Sequence, residues 1–123
     1  MEHLRYAIIY TGSDGKTHFK DDEMPWQPMY AQEPDGPYVT PYGKATDINF
    51  LRLPIGRRSP YHRAPRKQFV MVLSGSMEIE TGDGQKRVFT PGSVLLATDV
   101  EGEGHKSNVL SEQDVLAVCV PVP

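Results

Sequence analysis

One cysteine, Cys119, stands among 123 residues. No disulfide can form within the chain, so a hydrophobic core has to hold it together. A lone thiol suits a reducing compartment, and a cytoplasmic location is the expectation. Long hydrophobic runs are missing as well. The opening M-E-H-L-R carries no apolar stretch of the signal-peptide kind, and no run approaches the roughly 20 residues that span a bilayer. A membrane partner is therefore not expected. Nor is there an excess of positive charge. The 13 Lys and Arg are outnumbered by 16 Asp and Glu, for a net charge of −3 and a pI near 5.8. That balance argues against nucleic acid as a general partner. A Gly-rich phosphate loop, a nucleophile elbow and a paired-cysteine zinc motif are all absent.

What the chain does have is punctuation. Its 11 glycines and 11 prolines break up short alternating runs, the pattern of a sandwich or barrel. Strands are expected over Tyr6–Thr11, Thr17–Phe19, Asp47–Pro54, Gln68–Leu73, Met77–Thr81, Gln85–Phe89, Val94–Thr98, His105–Val109 and Leu116–Val122. Asp83-Gly84 is the clearest hairpin turn. Residues 21–46 hold Pro25, Pro28, Pro34, Pro37 and Pro41 with Trp26, Tyr30, Tyr38 and Tyr42. That proline density excludes a helix or a central strand. The segment reads as an extended arm or lid. One domain is expected: residues 1–46 as N-terminal strands and arm packing on the barrel, residues 47–123 as the barrel itself. The barrel is expected to consist of two antiparallel sheets.

The most informative stretch is Gly56 to Gly75, G-R-R-S-P-Y-H-R-A-P-R-K-Q-F-V-M-V-L-S-G. A second segment, from Gly92 to Asn108, ends in G-H-K-S-N. Together they resemble the two-motif signature of the cupin family, G-x5-H-x-H-x3/4-E-x6-G followed by G-x5-P-x-G-x2-H-x3-N. Gly56, His62 and Gly75 match the first motif, and His105 matches the second. Ala64 stands where the family has its second His, and Gln68 where it has Glu. The loop Val100–Gly104 is two residues longer than the motif. The resemblance covers residues 47–122. It implies an all-β, jelly-roll-like double-stranded β-helix with a site inside the barrel. It also implies a homodimer, since small single-barrel cupins are commonly dimers.

Period-two alternation sets Gln68, Val70 and Val72 on one strand face and Phe69, Met71 and Leu73 on the other. On the geometry that the resemblance implies, Gln68 faces the barrel interior beside His62. His62, Gln68 and His105 are candidate metal ligands, holding one divalent ion (Zn, Fe, Mn or Ni) weakly through two imidazoles and a neutral amide. Without an ion, His62 and His105 are free to act as acid and base. Asp99, in T-D-V-E-G-E-G-H, is a third catalytic candidate. It could orient His105, serve as a base, or simply cap its loop.

Tyr61, just before His62, and Trp26 are candidate substrate contacts, as are Gln68 and Arg52. Each has an alternative as a packing or exposed residue. Arg52 lies in F-L-R-L-P, and an inward-facing Arg there would need an anionic partner. Arg57, Arg58, Arg63, Arg66 and Lys67 crowd the first motif, and a positive rim would favour an anionic ligand. Cys119, in an apolar run without a neighbouring base, reads as a buried inert thiol.

Three functions fit these residues. The first is a small-molecule enzyme of isomerase or lyase type, working by proton transfer. The second is a non-catalytic binding or sensor protein, and the third a structural module whose interior is only core. The resemblance adds metal-dependent dioxygenase chemistry.

Overall fold

The computed structural model describes residues 2–123. The alternating runs become β1 (His3–Thr11), β2 (Thr17–Pro25), β3 (Gln27–Pro28), β4 (Tyr38–Val39), β5 (Asn49–Leu53), β6 (Gln68–Ser74), β7 (Met77–Glu80), β8 (Lys86–Phe89), β9 (Val94–Ala97), β10 (Lys106–Val109) and β11 (Val115–Pro121). No helix occurs among the described residues.

One sheet has six strands in the order β2-β1-β9-β6-β11-β5, and a second has three in the order β10-β7-β8. Among the described residues all strand pairings are antiparallel except one. β1 runs parallel to β9, with Ala7 opposite Leu95 and Ile9 opposite Ala97. The expectation of purely antiparallel sheets is corrected there. No hairpin links these two strands, so nothing forces them to run in opposite directions.

The division at residue 46 separates less than expected. β1 lies between β2 and β9, and Ile9 is fully buried, so residues 3–25 are part of the barrel wall. β2 also runs to Pro25, well into the proline-rich segment. It can do so because it is an edge strand, where a missing N–H leaves no ladder bond unmade. Beyond Pro25 the chain is extended. It makes only the short β3–β4 pair, Gln27 with Val39 and Pro28 with Tyr38.

The main core lies between the sheets. It takes alternate residues from each strand: Val70 and Val72 from β6, Met77 and Ile79 from β7, and Val115, Ala117 and Cys119 from β11. Inward alternation also sets the inner wall in register. Gln68 pairs with Ala97 and Val70 with Leu95, while Cys119 pairs with Val70 and with Asn49.

A second cluster occupies the outer face of the large sheet, where Tyr6, Ile8, Phe69, Leu96 and Val122 are buried. Part of its cover is the arm. The Tyr42 ring meets Phe69 edge-on at 4.6 Å, and the Thr46 N–H donates to the Pro121 carbonyl at 3.0 Å. The cover stops short of Leu73, Leu116 and Phe50, which remain exposed.

Candidate functional site

Between the sheets lies a partly open cavity of about 360 Å³. Its walls are mostly apolar. β5 supplies Leu51 and Leu53, β6 Val70, β7 Met77 and Ile79, β9 Leu95 and Ala97, and β11 Cys119. Polar side chains interrupt the apolar lining: Asn49, His62, Gln68, His105 and Ser107, with Arg57 and Arg66.

The two histidines are brought together by the backbone. The His62 N–H donates to the His105 carbonyl, and the His105 N–H to the His62 carbonyl, both at 2.9 Å. Gly104 permits this approach. Its φ is +84°, and a Cβ there would run into the His62 carbonyl. Only glycine suits that position. The imidazole centroids stand 4.7 Å apart, inclined at 55°.

Hydrogen bonds fix the state of each ring. His62 Nδ1 lies 3.1 Å from the Pro60 carbonyl. A carbonyl can only accept, so Nδ1 carries the proton, and Nε2 of the neutral ring keeps its lone pair. His105 Nδ1 lies 2.6 Å from Asp99 Oδ2, and the same logic places its proton on Nδ1. Asp99 is fully buried. Its carbonyl accepts the Ala64 N–H at 3.0 Å, which ties the His62–Ala64 segment to the carboxylate behind His105. The other oxygen, Oδ1, is buried without a partner.

The remaining candidates lie elsewhere. Arg52 points away from the cavity. It sits opposite Leu116 on the outer face of β11 and binds Asp114 at 3.2 Å. Its substrate-binding role is corrected by parity, because Leu51 and Leu53 take the inward positions. Tyr61 also stays off the cavity wall. Its hydroxyl donates to Glu80 at 3.1 Å, and Lys106 Nζ sits 4.7 Å over its ring. Burial, the Glu80 bond and the Glu80 charge push its phenol above the ordinary value. Trp26 is half-buried outside the cavity, with its indole N–H buried and unpartnered.

Cys119 is a wall residue whose place at the site was not apparent from sequence. It is buried as expected, and burial pushes its thiol up, but it lines the cavity. The signal was the alternation of Val115, Ala117 and Cys119.

The donor set does not fit a firmly held metal. Among the described residues no group of three or more His, Cys, Asp or Glu is placed to hold an ion. Ala64 offers no donor atom, and Gln68 offers only an uncharged amide. The carboxylate oxygen beside His105, Asp99 Oδ2, is already taken by that ring. Two imidazoles and an amide fall short of the ligand number and charge a resident ion needs.

No family model matches the chain, and no curated protein matches it. Solved structures resemble it at low identity. A conserved protein of unknown function from Streptococcus pyogenes is 21% identical with a TM-score of 0.47, over 68% of this chain and 71% of that one. A cupin-superfamily sugar phosphate isomerase from Silicibacter pomeroyi is 18% identical with a TM-score of 0.48, over 98% of this chain and 73% of its own. The cupin domain of Schizosaccharomyces pombe Cnp3 is 9% identical with a TM-score of 0.47, over 100% of this chain and 86% of its own.

Two facing sheets, with the histidines of both motif segments bonded backbone to backbone beside an interior cavity, agree with the all-β, cupin-type barrel that the motif resemblance implies.

Proposed function

We propose that this protein is a small-molecule enzyme that moves a proton within an anionic carbonyl compound bound inside the barrel. The observation that carries the reading is the series Asp99, His105, His62, whose two imidazoles line a largely apolar cavity. His62 is the base. Its Nδ1–H is held by Pro60, and its Nε2 lone pair takes a proton from the carbon beside the carbonyl. The C–H electron pair moves into a carbon–carbon double bond, and the carbonyl oxygen takes a proton from Nε2–H of protonated His105. Buried Asp99 neutralises that imidazolium, as a carboxylate does behind a catalytic histidine. Return of the His62-held proton to a different carbon, with the enol O–H proton going back to His105 Nε2 as the C=O bond reforms, completes an isomerisation. Departure of a leaving group with its electron pair from the next carbon, with the same O–H proton going back to His105, completes an elimination. The apolar walls displace part of the water around a bound ligand, which strengthens its polar contacts. Arg57 and Arg66 at the rim favour a negatively charged ligand.

We also propose a homodimer through the outer face of β6, β11 and β5. Leu73, Leu116 and Phe50 are exposed there at 51%, 39% and 72%, and β5 presents an unpaired edge. Apolar side chains beside an open edge call for a cover.

The enzymatic reading is tested by incubating the protein in D2O with a panel of small oxo acids. Proton NMR should detect loss of the signal beside the carbonyl. Exchange that disappears in His62→Ala supports the reading. Binding of a panel compound without exchange identifies a binding protein and overturns it.

A further inference from the structure

We infer that the ligand is a short-chain monocarboxylate with an apolar body, and that Arg57 is the residue that selects it. This rests on the cavity being the ligand site, but not on proton transfer taking place there.

The charges lining the cavity are of one sign. Arg57 and Arg66 reach it, and among the described residues no Asp or Glu does. The two arginines are not equivalent. Arg66 already binds Asp47 at 3.2 Å, so much of its charge is answered within the protein. Arg57 has no carboxylate within ion-pair distance among the described residues. Its backbone is nevertheless fixed on both sides. The Arg57 N–H donates to the Pro54 carbonyl at 3.1 Å, and its carbonyl accepts the Val109 N–H at 2.9 Å. Arg58 next to it is bridged to Asn108. The fixed backbone sets where the Arg57 side chain starts, and a guanidinium lining a cavity takes a planar anion with two parallel hydrogen bonds.

The other walls restrict the body of the ligand behind its anionic end. Leu51, Leu53, Val70, Met77, Ile79 and Leu95 offer a ligand no hydrogen bond from their side chains. A sugar or other polyol would leave its hydroxyls unpaired against them, at the cost that buried polar groups carry. An apolar chain loses nothing there. At about 360 Å³ the cavity is near the lower limit of ligand sites, about 300–1,000 Å³, so the chain is short. One unanswered guanidinium matches one negative charge, which favours a carboxylate over a doubly charged phosphate.

Isothermal titration with hexanoate, hexan-1-ol and inorganic phosphate tests the inference on the intact protein. Hexanoate should bind at least about tenfold more tightly than hexan-1-ol, the scale of a charge-assisted contact. Arg57→Gln should abolish that preference while leaving hexan-1-ol binding as it was. Arg58→Gln, a neighbouring charge off the cavity wall, should keep the preference. Equal binding of acid and alcohol would overturn the inference, as would tighter binding of phosphate, absence of hexanoate binding at millimolar concentration, or a preference that survives Arg57→Gln. Arg57-dependent binding of hexanoate sustains it even where no oxo acid exchanges deuterium, a result that removes only the proton-transfer reading.

Discussion

His62 and His105 are joined backbone to backbone by two reciprocal hydrogen bonds of 2.9 Å, and their rings face each other at 4.7 Å. Residues from two distant motif segments are thereby held as one unit. Neither can move without breaking main-chain hydrogen bonds of the other.

Gly104 is where that unit is most vulnerable. Gly104→Ala places a methyl group against the His62 carbonyl at a backbone φ of +84°. Strain at such a position costs about 1–3 kcal/mol, and relief requires the two segments to part. Urea unfolding should record the loss of stability. The ring protons of His62 and His105 should also lose their mutual nuclear Overhauser contacts. Retention of those contacts at wild-type stability would contradict the geometry.

A third histidine gives the fold a pH dependence. His18 Nδ1 lies 3.0 Å from Asp83 and its Nε2 3.0 Å from Asp14, so the ring ties the β1–β2 turn to the β7–β8 turn. Both partners only accept, so both nitrogens must be protonated. The Asp14 hydrogen bond, then the Asp14 and Asp83 charges, outweigh partial desolvation and raise His18 above its ordinary value. The His18 bond and the Lys16 N–H lower Asp14. Burial works to raise Asp83, but Thr81, the Gln85 N–H and His18 together hold it low. Lys20 is the nearby cation, over the Tyr10 ring that stacks on His18.

The signs define a window. A raised histidine stabilises fully below its unfolded value of about 6.5, and that stability is lost as pH rises through the folded value. A lowered carboxylate stabilises above its unfolded value of about 3.9, and that stability is lost as pH falls through the folded value. The difference in Tm between wild type and His18→Gln should be largest between those limits and shrink on either side. A His18 NMR titration midpoint at or below about 6.5 would contradict this linkage.

Metal affinity should respond to the two motif positions that depart from the family pattern. Ala64→His with Gln68→Glu adds an imidazole and a carboxylate at cavity-lining positions. Zinc affinity should rise by more than the about 10–100-fold that a single outer-shell partner contributes. Competition against a chromogenic chelator measures it. No change would mean that these positions do not converge on the histidines.

Dimerisation through the outer sheet face predicts a sedimentation mass near twice the 13.8 kDa monomer. Leu116→Glu should lower it to the monomer value, since Leu116 is partly exposed at 39% on the face to be covered. A wild-type mass near that of the monomer at micromolar concentration would contradict the proposal.

The strands from Gln68 to Pro121 were legible because alternation and turn residues agreed with the eventual register. The Gln68–Val72 parity correctly placed Gln68 and Val70 on the cavity wall. The parallel β1–β9 contact was not legible, since no local turn specifies a pairing between segments so far apart. β2 outran its predicted end because tolerance of Pro25 depends on edge position, which only the sheet order reveals. Asp99 could be named but not given one role, because its choice between turn and histidine depends on how the loop folds back. The His18 link escaped notice because its two acidic partners lie on different hairpins.

The site's chemistry depends most on one arrangement: His62 and His105 each carry the proton on Nδ1, which leaves Nε2 of each ring for the proposed reaction. Long-range ¹H–¹⁵N correlation spectra of the histidine rings measure this directly, in the free protein and on addition of hexanoate. His62 should show Nδ1–H, and His105 should carry a proton on Nδ1. Hexanoate should displace the Nε2 resonances of both rings and leave His3 and His18 unchanged. An Nε2–H tautomer for neutral His62, or a ligand that moves neither ring, would contradict that arrangement.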